Sequence, residues 1–587
     1  MTLLERPSLS SKPDGSAAGR EVQVMRKPRL LVQIALAFYW LLMSTPILLY
    51  ASQNTLWQIG QFDQSSEEFG SSFSIIPIGL PPDPIFDVSK NDWKKDWAGF
   101  HPGSSNGQAR GRKHPFTIVF NLDHPPLGTY TLTLSTLHYM PQRPNIEIEI
   151  NGHRSLYYFR PRISYNPSEF PVAFIPQFGS QRLEIDFPAT SFQKGENRLV
   201  LTAIDDNAET SQAIGTAATG ISGFHYDAVK LTEDKDKAFA PKGIQATVLP
   251  TVFYKQKGEE LAELVEVIIR LNQKITKGLV SLELNGNRYT AKLPLTSEIG
   301  EQRFVFEIPG WTGKQTAGLK VEAGTTRNFE MSVEPQRKWR VFVAPHTHLD
   351  VGYTDYQGKV AELQARVLLQ AMDLLKKNPG FRFSIDGSWV LEQLLTTRPE
   401  AAQKEILQLL KEGKMSLPAQ YLNLLTGIAS LETLYRSLYY SKSLARQHQF
   451  PMDYANITDV PSHTGSYPSV LASSGIKYFT AGGNNWRAPF LLGGLWNEKS
   501  PFWWEGPDGK KVLFWYSRHY MQVQSLFGLP PQQAAIRDSL PVFLQAYSTD
   551  LYKPDSVLVF GTQVENTDLY PETATFIEAW NREYASR

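Results

Sequence analysis

His346-Thr347-His348-Leu349-Asp350-Val351-Gly352-Tyr353 is the stretch on which the reading of this chain turns. It follows a strand-like run containing Trp339, Val341, Phe342, Val343, Ala344 and Pro345. Residues two apart on a strand share one face. Two imidazoles and a carboxylate spaced by single residues at a strand end can therefore converge on one ion. The string makes the chain a candidate enzyme with a metal centre.

Outward from that string, strand-like and helical runs alternate. Residues 358–378 carry Leu363, Val367, Leu368, Ala371, Leu374 and Leu375 at helical spacing, then stop at Asn378-Pro379-Gly380. Residues 381–385 read as a strand, 399–411 as a helix, 415–425 as extended and 431–446 as a helix. Further strands fall at 454–459, 476–480 and 557–560, and 571–586 reads as a closing helix. Repeated strand–helix units predict a parallel sheet covered by helices, open or closed into a barrel. In either form, catalytic groups gather at the C-terminal strand ends. That rule collects His346, His348, Asp350, Asp386, Gln420, Asn423, Asp459, His463, Gln563, Glu565 and Asp568 on one rim. Tyr353, Trp389 and Trp486 are the candidate aromatic contacts for a sugar. Taken singly, an Asp after a strand is commonly a helix cap and a lone His a satisfied core residue. The weight lies in the cluster, whose groups suit metal-assisted hydrolysis of a sugar linkage.

The motif resembles the one that opens the catalytic domain of glycoside hydrolase family 38, the class II α-mannosidases. That family carries His-x-His-x-Asp-x-Gly-Trp or Tyr after its first strand, which here reads His346 to Tyr353. The resemblance spans residues 338–587 and implies a (β/α)7-barrel-like domain. It implies zinc held by His348 and Asp350, with His346 in a supporting role. The family's nucleophile, which also touches the metal, matches Asp459 in Ile457-Thr458-Asp459-Val460-Pro461-Ser462-His463. Retaining hydrolysis of α-mannosides through a glycosyl-enzyme intermediate would follow. Two departures stand out. The family's Gly-Asp-Asp-like acid stretch reads here Gly561-Thr562-Gln563-Val564-Glu565-Asn566-Thr567-Asp568, so Glu565, or else Asp568, takes the acid/base role. The family's fourth ligand, a histidine, lies well beyond the barrel, so a sequence ending at Arg587 is expected to be a fragment.

Upstream, residues 53–233 show short alternating segments such as Phe116-Thr117-Ile118-Val119-Phe120 and Ile146-Glu147-Ile148-Glu149-Ile150, the latter meeting the hairpin signal Asn151-Gly152. They predict a β-sandwich or jelly roll. Leu56-Trp57, Asp92-Trp93, His101-Pro102-Gly103 and Phe224-His225-Tyr226-Asp227 resemble the sandwich domain appended to rhamnogalacturonan lyases. That resemblance implies a carbohydrate-binding-like module. Trp57, Trp93 and Trp97 are either its sugar-stacking rings or core filling. Residues 240–335, with Asn285-Gly286 as a hairpin turn, predict a second, immunoglobulin-like sandwich acting as a spacer.

Composition narrows the chemistry. The 587 residues call for several domains. A net charge of +1 gives no footprint for nucleic acid. With no cysteine, any metal must rest on His, Asp or Glu. Residues 1–29 read as a disordered polar tail. The uncharged apolar run at 30–51 follows Arg20, Arg26, Lys27 and Arg29, which predicts a membrane anchor or a cleaved signal segment. Both place the remainder outside the cytoplasm, periplasmic or extracellular. Two other functions compete with hydrolysis. One is a carbohydrate-binding surface protein with an incomplete catalytic domain. The other is a metal-dependent polysaccharide deacetylase or lyase.

Overall fold

The computed structural model describes residues 54–72, 83–104, 112–138, 142–160, 180–205, 222–239, 243–271, 275, 277–294, 299–460, 462–483, 500–517 and 519–584. Among these, no helix is long and apolar enough to cross a membrane. The 30–51 run, on which the anchor or signal reading falls, lies outside the described residues, as do Trp486 and the 1–29 tail.

The region before the barrel is rich in β-structure. One antiparallel sheet orders Asn54–Gly60, Gly223–Asp234, Thr129–Leu137 and Ser180–Pro188, with Phe100–Pro102 paired to the start of Gly223–Asp234. Facing it is a sheet containing His153–Tyr157, Asn145–Ile150, Gly195–Ile204, Pro115–Leu122 and Ile85–Asp87. Alternation puts Phe116, Ile118, Ile146, Ile148, Leu199 and Leu201 between the two layers. Asn151 and Gly152 turn the hairpin with φ of 48° and 89°, the left-handed pair that a two-residue turn requires. Trp57 and Trp97 lie in this core, 5% and 2% exposed, so packing and not sugar stacking explains them. Trp93 is half-buried with its ring edge against Phe69.

The second β region differs from two freestanding sandwiches. It has its own core, around Val265, Val267, Leu282 and Leu319. Yet its Gln245–Lys257, Glu260–Leu271 and Gly300–Pro309 strands extend the preceding sheet to eight strands. The seam is the parallel pair Gly300↔Leu156. A Cβ at Gly300 would sit 2.8 Å from both the N and the O of Leu156, so glycine permits the join. Single-strand alternation cannot reveal such an edge pairing.

From Arg340, the described residues of the third region include seven parallel strands. They are Arg340–Thr347, Phe383–Ser384, Met415–Ser416, Tyr454–Asp459, Tyr478–Gly483, Lys511–Ser517 and Ser556–Val564. Ladders join the third, second, first and seventh in that order, and separately the fourth, fifth and sixth. The two sheets meet where Ala419 N–H donates to Tyr454 O (2.9 Å) and where Ser517 Oγ donates to Phe560 O (2.9 Å). Phe502–Glu505 adds an antiparallel strand beside the sixth. The first helix, Gln357–Lys377, buries Val360, Val367, Leu368, Ala371 and Leu375 and ends where Asn378 caps Leu374 O. The helical run at 431–446 divides into Leu431–Arg436 and Tyr439–His448.

Candidate active site

Every group at the candidate centre comes from the C-terminal end of a barrel strand. His346 lies next to the end of the first strand and is fully buried. Its Nδ1 donates to Thr347 O (2.6 Å), and its ring packs on Phe560. It stays outside the group that could hold a metal. That group is His348, Asp350 and Asp459, each offering one ligand atom within 4.8 Å of the others. His348 is 2% exposed. Its Nε2 lies 3.4 Å from Asp350 Oδ1 and 3.6 Å from Asp459 Oδ2, yet is buried without a hydrogen bond among the described residues.

Asp459 ends the fourth strand with a φ of 69°. A left-handed conformation is uncommon outside glycine and costs on the order of 1 kcal/mol or more. Here it closes the strand with the carboxylate beside His348. Behind the imidazole lies a third carboxylate, Asp386, after the second strand. Its Oδ2 is 3.4 Å from His348 Nδ1, which also contacts Thr458 Oγ1 at 3.1 Å.

Three carboxylates around one imidazole set the electrostatics. Burial acts to lower the pKa of His348, but Asp350, Asp386 and Asp459 outweigh it and hold the imidazole well above its ordinary value. Burial acts to raise Asp350 and Asp386, and the facing His348, helped by Tyr353 and His346 respectively, keeps both below the usual carboxylate range. The excess of negative charge around an unpartnered imidazole nitrogen suits a divalent cation. The donor set also fits zinc, which accepts imidazole nitrogen and carboxylate oxygen.

The other predicted residues separate. Glu565 follows the seventh strand, and its Oε1 accepts from the Tyr520 hydroxyl (2.6 Å). The ring of Tyr520 packs on His348 at 4.8 Å, so Glu565 joins the same rim. Burial, Glu565 and Asp459 push the Tyr520 phenol far up, which keeps it a proton donor. Asp568 instead pairs with Arg366 Nε (2.8 Å) and Gln370 Nε2 (2.9 Å) on the first helix, away from the cluster. Tyr353 is 72% exposed and donates to Asp350 Oδ1, leaving its ring open beside the centre. Trp389 corrects the expectation of a sugar contact. At 6% exposed, it packs in the core with Leu349, Phe383 and Leu391 because its helix turns that face inward. His463 sits in a ring of Phe479, Trp504, Phe514 and Tyr516, and burial lowers it to about 4.

Several participants escaped the sequence reading. Asn566 Nδ2 donates to Asp350 O (2.7 Å), and Gln364 Nε2 donates to Asn566 Oδ1 (2.8 Å), tying the seventh-strand loop to the first. Asn423, which the strand-end rule had already placed on the rim, bridges to Thr458 through Thr458 N–H→Oδ1 (3.1 Å) and Nδ2→Oγ1 (3.2 Å). Tyr520 follows His519, whose Nδ1 accepts from Met521 N–H (3.0 Å). Amides and phenols at strand ends are too common for spacing to single them out. The polar residues flanking each strand end were the only available signal.

Comparison with known proteins agrees with the motif. Residues 338–586 match the family described as glycosyl hydrolases family 38 N-terminal domain. Residues 55–231 match the CBM-like domain III of polysaccharide lyase family 4. No curated protein matches the chain. Among solved structures, an alpha-mannosidase from Enterococcus faecalis V583 is 18% identical, covering 42% of this chain and 27% of its own, with a TM-score of 0.35. A glycosyl hydrolase family 38 protein from Enterococcus faecalis is 16% identical over 42% of this chain and 28% of its own, with a TM-score of 0.29. The 4-alpha-glucanotransferase of Thermococcus litoralis is 15% identical over 42% of this chain and 37% of its own, with a TM-score of 0.31. The chain thus spans between 27% and 37% of the length of these relatives. As the motifs implied, the region bearing the rim matches the N-terminal domain of glycosyl hydrolases family 38, behind a CBM-like polysaccharide lyase family 4 domain III.

Proposed function

We propose that this chain is the catalytic part of a zinc-dependent retaining glycoside hydrolase that cleaves α-mannosidic linkages of an oligo- or polysaccharide. The observation that carries the reading is the convergence of His348, Asp350 and Asp459 on one rim, with Glu565 held near by Tyr520. His348 Nε2 and the carboxylates of Asp350 and Asp459 would hold the ion. Bound there, zinc would supply a Lewis-acid contact for sugar hydroxyls and offset the excess of carboxylate charge.

The remaining work belongs to the protein's own groups. Asp459 attacks the anomeric carbon as the glycosidic bond breaks, and Glu565 delivers a proton to the departing oxygen. Glu565 then takes a proton from water, whose oxygen displaces Asp459 and restores the original anomeric configuration. The Tyr520 hydroxyl anchors Glu565, and the open ring of Tyr353 provides an apolar face for a sugar. The CBM-like match at 55–231 supports a saccharide partner. The basic-flanked apolar run at 30–51 supports a membrane-anchored or secreted protein with its catalytic part outside the cytoplasm.

The test is hydrolysis of an aryl α-mannoside by the chain, followed by NMR, before and after chelation and zinc restoration. Zinc-dependent release of α-mannose first supports the reading. Inverted product, or turnover indifferent to both zinc and Asp459, sinks it. Release of acetate or of an unsaturated sugar would favour the deacetylase or lyase reading instead.

A further inference from the structure

Asp386 makes an unusual set of contacts for a carboxylate that is only 2% exposed. Its Oδ2 accepts from Leu349 N–H (3.0 Å) and Asn423 Nδ2 (3.4 Å), and its Oδ1 from Asn456 Nδ2 (3.3 Å). It also faces His348, whose Nδ1 lies 3.4 Å from Oδ2 and 3.1 Å from Thr458 Oγ1. An ionised carboxylate can only accept and the Thr458 hydroxyl can accept as well, so both partners favour hydrogen on the imidazole nitrogen that faces them. In a neutral ring the proton then stands on Nδ1, and the lone pair stands on Nε2. That nitrogen faces Asp350 and Asp459 at 3.4 and 3.6 Å.

The chain fixes Asp386 from the other side as well. The next residue, Gly387, has a φ of +92°, and a Cβ there would meet Tyr421 O at 2.7 Å. Ser388 N–H and Trp389 N–H donate to Gln420 O (3.2 Å) and Tyr421 O (3.1 Å), locking the second-strand loop to the third. The carboxylate is therefore preorganised before any ion arrives.

We propose that Asp386 is a positioning residue of the metal centre, holding His348 so that Nε2 is aimed at the space shared by Asp350 and Asp459. This inference rests on the metal-centre reading above and adds a residue that does not itself touch the ion. Outer carboxylate partners of metal-bound histidines set both tautomer and ring orientation, and their loss weakens metal binding roughly 10- to 100-fold.

The experiment is a zinc competition titration against a chelating dye, run on the full chain as wild type, His348→Ala, Asp386→Asn and Asn423→Ala. Visible spectra of the cobalt-loaded proteins report the ligand geometry. In Asp386→Asn, three or four donors meet an amide in place of a carboxylate, so one donor pair must clash. The expected result is zinc affinity reduced about 10- to 100-fold in Asp386→Asn, with an altered cobalt spectrum and a smaller loss in Asn423→Ala. Asn423→Ala keeps the test open if Asp386→Asn does not fold, because Asn423 is only partly buried and anchors both Asp386 and Thr458. Wild-type affinity and spectrum in both variants, while His348→Ala loses zinc, would overturn the role of Asp386. Failure of the wild type to bind zinc would instead overturn the metal centre itself.

Discussion

Two buried histidines, His101 in the first sandwich and His348 on the barrel rim, show how burial alone fails to mark a functional residue. His101 is fully buried, with its ring stacked on Phe116 at 3.9 Å. Nδ1 accepts from the Tyr226 hydroxyl (2.7 Å), and Nε2 donates to His114 O (2.8 Å). Both nitrogens are satisfied by neutral partners, and burial pushes the pKa down to about 3. His348 is as deeply buried but faces three carboxylates, and its Nε2 makes no hydrogen bond among the described residues. The first arrangement is complete as it stands. The second carries an excess of negative charge and a nitrogen that can take a cation in exchange for its proton, a setting that fits a metal ion. The informative quantity is the balance of charge and hydrogen bonds around the imidazole.

The strongest test of that contrast is Asp459→Asn against His101→Phe. We expect the first to lower kcat/KM on an aryl α-mannoside by roughly 10⁴-fold or more, as losses of a nucleophile do. The second, within the first sandwich, should leave the rate of the folded protein unchanged. Equal rates for Asp459→Asn and wild type would dissolve the contrast.

Next in size is the division between the two late carboxylates. Glu565→Gln should reduce kcat by about 10²- to 10⁴-fold, the range for removing a general acid. Asp568→Asn should not change it, because Asp568 is engaged by Arg366 and Gln370. Steady-state kinetics on both variants decides the matter, and a reversed pattern would move the acid to Asp568.

The two histidines should also give pH dependence of opposite sign. His348 has a folded pKa held well above 6.5, so in the metal-free protein its stabilisation is fully present below about 6.5 and is lost as pH rises through the folded value. Zinc must displace that proton, so zinc affinity should rise with pH across the same window. His101, lowered to about 3, stays neutral when folded while the unfolded chain takes up a proton below about 6.5. Its contribution therefore falls as pH drops from about 6.5 towards 3. Melting temperatures of His348→Ala and His101→Phe across pH 4 to 9 should flatten opposite limbs of the wild-type curve. Loss of the same limb in both would refute the distinction.

The smallest effect expected is on stability alone. His101→Ala strips the ring from Phe116 and leaves the Tyr226 hydroxyl without its partner, which should cost roughly 2–4 kcal/mol. Denaturant melts measure it, and zinc titration of the folded variant should match the wild type. A change in zinc affinity would mean that the sandwich core and the rim are coupled.

Much of the rim follows from local pattern. Strand ends can be located from apolar runs, and His348, Asp350 and Asp459 stand at two of them. Asn151-Gly152 and Asn285-Gly286 mark hairpins because few residues other than glycine and asparagine tolerate a left-handed turn. What depends on partners distant in sequence was not legible. The diversion of Asp568 depends on Arg366 of the first helix, 202 residues away. The burial of Trp389 depends on how the helix after the second strand rolls against its neighbours. The joined eight-stranded sheet depends on one contact between Gly300 and Leu156.

By itself, the sequence determined the alternation of strands and helices, the metal-type donor set and the chemistry open to it, because side-chain type and spacing along an element are local properties. Only the tertiary structure decided which acids meet. Closing the parallel strands brought Asp386 behind His348, Asp459 in front of it and Tyr520 against Glu565. Such meetings are set by strand order and helix packing, which sum weak contacts over the whole domain and leave no trace in any short stretch of chain.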